Sequence, residues 1–130
     1  MKIRELYHHG VLTAHPDETV TTVAGRMQQE AVGSLAVVEE GRLVGMVTER
    51  DLVRAASDGA DPLATRIRGY VTHGVAIAGP DEEASRVVRR MLNFGVRHLP
   101  VFDGDELVGM VSMRDLVALE AWLPGEPAQT

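Results

Sequence analysis

Cysteine is absent from the 130 residues, which removes disulfide frameworks, thiolate zinc sites and thiol catalysis together. No stretch approaches the ~18 apolar residues of a membrane span. The N-terminal Met1-Lys2-Ile3-Arg4-Glu5-Leu6 has charges at positions 2, 4 and 5 and no apolar run behind them, unlike a secretory leader. These absences lead us to expect a soluble, cytoplasmic protein. Positive charge is also short, with 13 Lys and Arg against 19 Asp and Glu and a net charge of −6. That balance excludes a general nucleic-acid binder, which needs a basic surface. Nor does the chain contain a Gly-x-x-x-x-Gly-Lys-Ser/Thr loop, an HExxH helix or a Gly-x-Ser-x-Gly elbow. What is present is 45% apolar and 25% charged residues, the balance of a globular chain. The length suits one domain, or two small units folding as one body.

The chain is written twice. A shift of 64 positions aligns Pro16-Asp17-Glu18 with Pro80-Asp81-Glu82, and Leu43–Val47 with Leu107–Val111. It also aligns Arg50-Asp51-Leu52-Val53 with Arg114-Asp115-Leu116-Val117, and 18 of the 38 positions from 16 to 53 are identical to their partners. Weaker matches reach back to Ile3/Ile67 and His9/His73. The expected organisation is a first repeat at 3–55, a linker at 56–66, a second repeat at 67–119, and a helix end and tail at 120–130. Two copies make a pseudo-symmetric pair, not a solenoid.

Periodicity changes within each copy. Val20, Val23, Ala24, Met27 and Ala31 form a helical stripe, repeated as Ala84, Val87, Val88, Met91 and Leu92 with Gly95 as the stop. Apolar runs Leu35–Val38 and Leu43–Val47 flank a Gly-containing turn, as do Leu99–Phe102 and Leu107–Val111, so each copy predicts a hairpin. Further helices are expected near 49–56 and 113–123, the second stopped by Pro124-Gly125, with short strands near Val11–Ala14 and Val75–Ala78. The fold class is α+β (α/β-type), with β-α-β-β-α written twice. The methionines at 27, 46, 91 and 110 follow the apolar patterns and read as core. Glu39-Glu40 and Asp103–Glu106 read as acidic turns on a solvated edge. Trp122, with Leu119 and Leu123, suits core packing or subunit contact equally.

The strongest local signal is a strand ending Gly-Met-Val followed by Thr48-Glu49-Arg50-Asp51 or Ser112-Met113-Arg114-Asp115. Each places a hydroxyl and a carboxylate three residues apart at a helix start. One reading is a helix cap, with the hydroxyl taking an amide and the acid facing the positive end of the dipole. The other is ligand capture, since helix N-terminal amides attract anions and a carboxylate accepts hydrogen bonds from a ribose diol. One group can do both. His8-His9 with His73 does not make a metal site, because neighbours on a strand point to opposite faces and no acid stands at ligand spacing.

The repeat resembles the CBS domain, named for cystathionine β-synthase. The resemblance rests on Gly45-Met46-Val47-Thr48-Glu49-Arg50-Asp51 and Gly109-Met110-Val111-Ser112-Met113-Arg114-Asp115, with Val96-Arg97-His98-Leu99-Pro100-Val101 as the second-strand entry. It covers about 3–119. It implies two tandem CBS repeats forming one pseudo-two-fold module, with adenosine-containing ligands in two clefts between them. One set would join Thr48 and Asp51 to Gly74, Val75, Val96, Arg97, His98 and Pro100. The other would join Ser112 and Asp115 to Gly10, Val11, Val32, Gly33, Ser34 and Ala36. The motif Asp would hold the ribose hydroxyls and the Ser/Thr would lie near ribose or phosphate. Arg97, a planar donor fork, makes the Asp51 set the better phosphate site, since Gly33 stands at the matching position of the other. The implied function is a non-enzymatic regulatory, energy-sensing module. Its regulatory ligand would be AMP, ADP, ATP or S-adenosylmethionine, with no catalytic cofactor and no metal. Signalling would pass through a homodimer or an effector protein, with no nucleic acid and no membrane involved. The alternatives are a ligand-free protein–protein interaction scaffold and a nucleotide hydrolase.

Overall fold

In the computed structural model the described residues are 1–9 and 12–120, which leaves out the expected helix stop at Pro124-Gly125 and the Trp122 contact. The elements, in chain order, are β1 (His8–His9), β2 (Thr13–Ala14), α1 (Val20–Glu30), β3 (Ser34–Glu39), β4 (Arg42–Thr48), α2 (Glu49–Ser57), α3 (Ala84–Phe94), β5 (His98–Asp103), β6 (Glu106–Ser112) and α4 (Met113–Glu120). Short 3-10 turns occupy Ile3–Glu5 and Ile67–Tyr70. The β-α-β-β-α pattern expected from sequence fits both copies, with a single bridge standing for the first strand of the second.

Apolar spacing sets the helices. Val20, Val23 and Met27 are the buried residues of α1, and Ala84, Val87 and Met91 those of α3. The helices end at the same repeat position in the left-handed conformation, at Ala31 (φ 55°) and Gly95 (φ 67°). Ala31 is thus the cap of α1 and not part of its buried stripe. Gly95 adopts that conformation at no steric cost, and Ala31 pays for its Cβ. Both hairpins have two-residue turns, tighter than the four residues the sequence suggested. Glu40 and Gly41 both have positive φ (52° and 75°), the type I′ pattern. In the second hairpin only Gly104 does (φ 62°), the glycine-first pattern of type II′.

The described residues divide into two compact units, Leu12–Val75 on one hand and the N-terminal segment with the chain from Ala76 onward on the other. The units are staggered against the sequence repeats. Ile3, at the head of the first repeat, is fully buried in the second repeat's core with Leu99, Val87 and Met91. Ile67, its equivalent, is fully buried in the first repeat's core with Leu35, Val23 and Met27. The exchange is hydrogen-bonded alike on both sides. Ile3 N–H donates to the Glu82 carbonyl and Ile67 N–H to the Glu18 carbonyl, each at 2.9 Å. Arg4 pairs with Asp81 and Arg68 with Asp17.

Each sheet consequently takes backbone from the other repeat's head, a strand in one and a single bridge in the other. In one unit β2 runs parallel to β3, β3 antiparallel to β4, and Thr72 bridges Met46 on the free edge of β4. In the other, β1 pairs antiparallel with β6 through His8↔Met110 and His9↔Gly109, and β5 lies on the far side of β6. The strand expected near Val75–Ala78 reduces to a single parallel bridge, Ala78 to Val101.

A repeated ion pair ties each first helix to the loop before it. Arg26 bonds both Glu18 and the Thr13 carbonyl, and Arg90 bonds both Glu82 and the Ile77 carbonyl. The Arg90 guanidinium, helped by the Gly79 amide, holds the Glu82 carboxyl down at about 2, against an ordinary 4.5. A carboxyl depressed on folding stabilises the native state above its unfolded value and loses that contribution as pH falls toward the folded one. Glu82 is 29% exposed, so the pair is only partly screened. Glu82→Gln is expected to cost on the order of 1–3 kcal/mol at neutral pH. Urea unfolding of the two proteins should converge as pH falls from about 4.5 to 2, and a gap unchanged across that window would rule the pair out as the cause.

Candidate functional site

The α2 start is built by sequence and strand register together. β4 delivers Thr48 opposite Ser34 of β3, and the chain turns directly into helix. Thr48 Oγ1 accepts the Asp51 N–H at 3.3 Å, and Asp51 Oδ2 accepts the Thr48 N–H at 2.9 Å and the Thr48 hydroxyl at 3.1 Å. This reciprocal capping box satisfies two helix-start amides. Asp51 is only 7% exposed, so its charge needs these donors. Ser112 Oγ accepts the Asp115 N–H at 3.2 Å at the start of α4, the hydroxyl half of such a box in the other unit.

Three residues around Asp51 were not singled out from the sequence. Thr72 lies on the bridging segment with its hydroxyl 3.3 Å from Asp51 Oδ1 and 3.4 Å from Oδ2. Arg54 donates to Asp51 Oδ1 at 3.3 Å and to the Tyr70 carbonyl at 3.1 Å, with its guanidinium carbon 5.2 Å from the Tyr70 ring centre. The Tyr70 hydroxyl donates to Asp58 at 3.0 Å. Gly45 makes this possible. A Cβ there would overlap the Thr72 carbonyl and lie 2.7 Å from Val71 Cγ1, so only glycine lets the segment close on β4. The motif glycine is therefore a packing residue that brings Thr72 to Asp51.

The unit of residues 12–75 also carries Gly74, Val75, Val32, Gly33, Ser34 and Ala36. Gly74 has φ 68° and open space around it. The Gly33 carbonyl accepts the Glu49 N–H at 3.0 Å, Ser34 is nearly buried, and Ala36 is fully so. The other unit carries Val96, Arg97, His98, Pro100, Ser112 and Asp115. There His98 stands opposite Ser112 and Pro100 opposite Met110, and the Arg97 carbonyl accepts the Met113 N–H at 2.8 Å. Arg97 is exposed and makes no ion pair among the described residues. Gly10 and Val11 lie outside the described residues.

Among the described residues one trio could hold a metal ion, His15, Asp17 and Glu39. Arg68 already bonds both carboxylates, and His15 Nδ1 accepts the Asp17 N–H at 3.0 Å. Arg68 holds the Glu39 and Asp17 carboxyls below their usual range. Glu39, expected on a solvated edge, is thus tied to the exchanged segment. His73 Nδ1 lies 3.3 Å from the Val44 carbonyl.

A model of the CBS domain matches residues 3–58 and again 67–121. The chain belongs to the CBS domain family. A CBS domain-containing protein of Bacillus subtilis, YhcV, is 33% identical over 107 residues, 82% of this chain and 76% of that protein. A Methanopyrus kandleri protein, MK0525, is 32% identical over 126 residues, and the chain, 95% of it aligned, spans 64% of that relative's length. Among solved structures, a CBS-domain protein of Agrobacterium tumefaciens superposes with a TM-score of 0.85 at 26% identity, over 92% of this chain and 99% of that one. A further CBS pair of the same fold, MJ0100, with a TM-score of 0.85 at 24% identity over 93% of this chain and 96% of that one, was solved with 5′-methylthioadenosine and S-adenosyl-L-methionine. No described helix is long and apolar enough to cross a membrane.

Proposed function

We propose that this CBS protein is a cytoplasmic regulatory module that binds an adenosine-containing ligand, AMP, ADP, ATP or S-adenosylmethionine, through Thr48–Asp51 and Ser112–Asp115. It acts without catalysis. A ligand that prefers one conformation shifts the population, and the shift is passed on through a homodimer or an effector protein. The observation that carries the reading is the Asp51 carboxylate, buried at a helix start with one oxygen committed to the cap and the other held only by 3.3 Å contacts. The residue set that the resemblance assigns to Asp51 includes Arg97, a guanidinium suited to phosphate. The set assigned to Asp115 has no cation. The Asp51 site is therefore the one for a phosphorylated ligand.

A second reading is a ligand-free interaction scaffold. It draws support from the cap itself, which gives Thr48 and Asp51 a complete structural role, and from the exposed Val53, Leu92, Phe94 and Val117. Thermal unfolding with a panel of adenosine compounds separates the two. At a hundred times the dissociation constant a native-state ligand adds about 2.7 kcal/mol, a rise of roughly 10 °C for a protein of this size. The rise, measured against each variant's own baseline because the cap is worth about 1 kcal/mol, should vanish in Asp51→Ala and persist in Asp115→Ala. No rise with any compound, in protein freed of carried-over nucleotide, sinks the ligand reading and leaves the scaffold.

A further inference from the structure

The two repeats differ on the outer side of their helix pairs, and the differences are opposite in sense. Between α1 and α2 lies an open groove of about 530 Å3, with Ala24, Gln28, Glu49 and Leu52 among its walls. Val32 and Gly33, assigned above to the Asp115 set, also line it. Under the 64-residue shift Ala24 becomes Val88, Gln28 becomes Leu92 and Glu49 becomes Met113. Small or polar side chains on one helix pair thus become bulkier or apolar ones on the other. Val88 and Met113 pack against the core of their unit. Leu92 on α3 is 66% exposed, and Val117, one turn beyond Met113 on α4, is 52% exposed. The α3–α4 pair therefore presents an apolar ridge where the α1–α2 pair presents a groove. Val53, the match of Val117, stands exposed one turn beyond Glu49 and gives the groove an apolar margin.

Charge is opposed as well. Glu49 is exposed at the groove, Arg89 and Arg114 are exposed on the ridge helices, and none of the three is in an ion pair among the described residues. Leu92 and Val117 are exposed in the single chain, so its own groove does not cover its ridge. We propose that the α1–α2 groove of one copy takes the α3–α4 ridge of a second copy, with Leu92 in the groove and the cations of the ridge facing Glu49. Each chain carries one surface of each kind, so the contact is heterologous, and it closes into a ring of copies or runs on. The smallest such ring is a dimer. The inference rests on the homodimer of the reading above, to which it gives surfaces, and not on the ligand.

The test exchanges the repeats' own residues, each of which the fold already carries at the matching place. Leu92→Gln with Met113→Glu gives the second unit the groove's residues. Ala24→Val, Gln28→Leu and Glu49→Met together give the first unit the ridge's. Sedimentation velocity should show wild type associating with itself and each variant weakened by at least about tenfold. An equimolar mixture of the two variants should associate again, because one supplies only grooves and the other only ridges. If the triple variant associates alone as tightly as wild type, ridge meets ridge and the proposal is wrong. A mixture that stays monomeric also overturns it. If association is unchanged in the triple variant and the thermal rise with an adenosine compound is lost, the groove is a ligand pocket instead. Monomeric wild type overturns the proposal and the homodimer with it, while a thermal rise with an adenosine compound would still uphold the ligand.

Discussion

Gly45→Ala is expected to remove on the order of 3 kcal/mol or more from the stability of the protein. The added methyl has no room, because the Thr72 carbonyl and the Val71 side chain occupy the place where it would stand. Backbone cannot swing aside as a flexible side chain does, so the bridging segment must leave β4. With it go the two Met46–Thr72 hydrogen bonds and the burial of Val71, a member of the unit's core. The contacts of the Thr72 hydroxyl with Asp51 go as well. Gly25→Ala is the control. Gly25 lies inside α1 with nothing within 4 Å of an added Cβ, so alanine should stabilise by about 0.5–1 kcal/mol through helix propensity. Urea unfolding of the pair gives opposite signs if close approach is what the motif glycine provides. Similar effects from both would show that backbone freedom alone matters.

Leu99→Ala is expected to cost about 2–5 kcal/mol, the loss of a buried leucine side chain together with the cavity it leaves. Leu99 has no exposed surface and sits among Ile3, Val87, Met91, Val101, Val111 and Leu116. Several of these come from separate segments of the chain, which cannot all move inward to refill the space. Against a typical total of about 5–15 kcal/mol, such a loss should leave the protein visibly destabilised at room temperature. Leu35→Ala, at the same repeat position in the other core, should fall in the same range, since Leu35 is equally buried. A cost below about 1 kcal/mol at either leucine would mean that the core collapses onto the gap.

The helices and hairpins were legible because their signals are local. Val20, Val23 and Met27 stand at helical spacing, and Leu43–Val47 runs unbroken after a turn, so neither depends on a distant partner. The exchanged heads were not legible. Ile3 and Ile67 are single apolar residues among polar neighbours, and what buries them lies across the chain in the other repeat. The site divides in the same way. Thr48 and Asp51 announce themselves through a three-residue spacing that the structure shows as a reciprocal cap. Arg54 stands three residues beyond Asp51, a helical spacing that was open to reading as an ion pair. Thr72 gave no such signal, because its approach to Asp51 depends on a glycine 27 positions earlier in the chain. Repeat symmetry could have drawn attention to it, since it matches His8, whose backbone bridges Met110 as that of Thr72 bridges Met46.

The staggering of repeats and units bears on where such a chain can be divided. A single repeat cut out at 3–58 would keep Leu35 and Val47 but lose Ile67 and Val71, which cover them, and its own Ile3 would have no second core to enter. The arrangement has the form of a domain swap, with each head segment lent to the other copy's core. Within this chain the exchange is reciprocal between the halves, so neither half cut at its repeat boundary is a complete folding unit by itself.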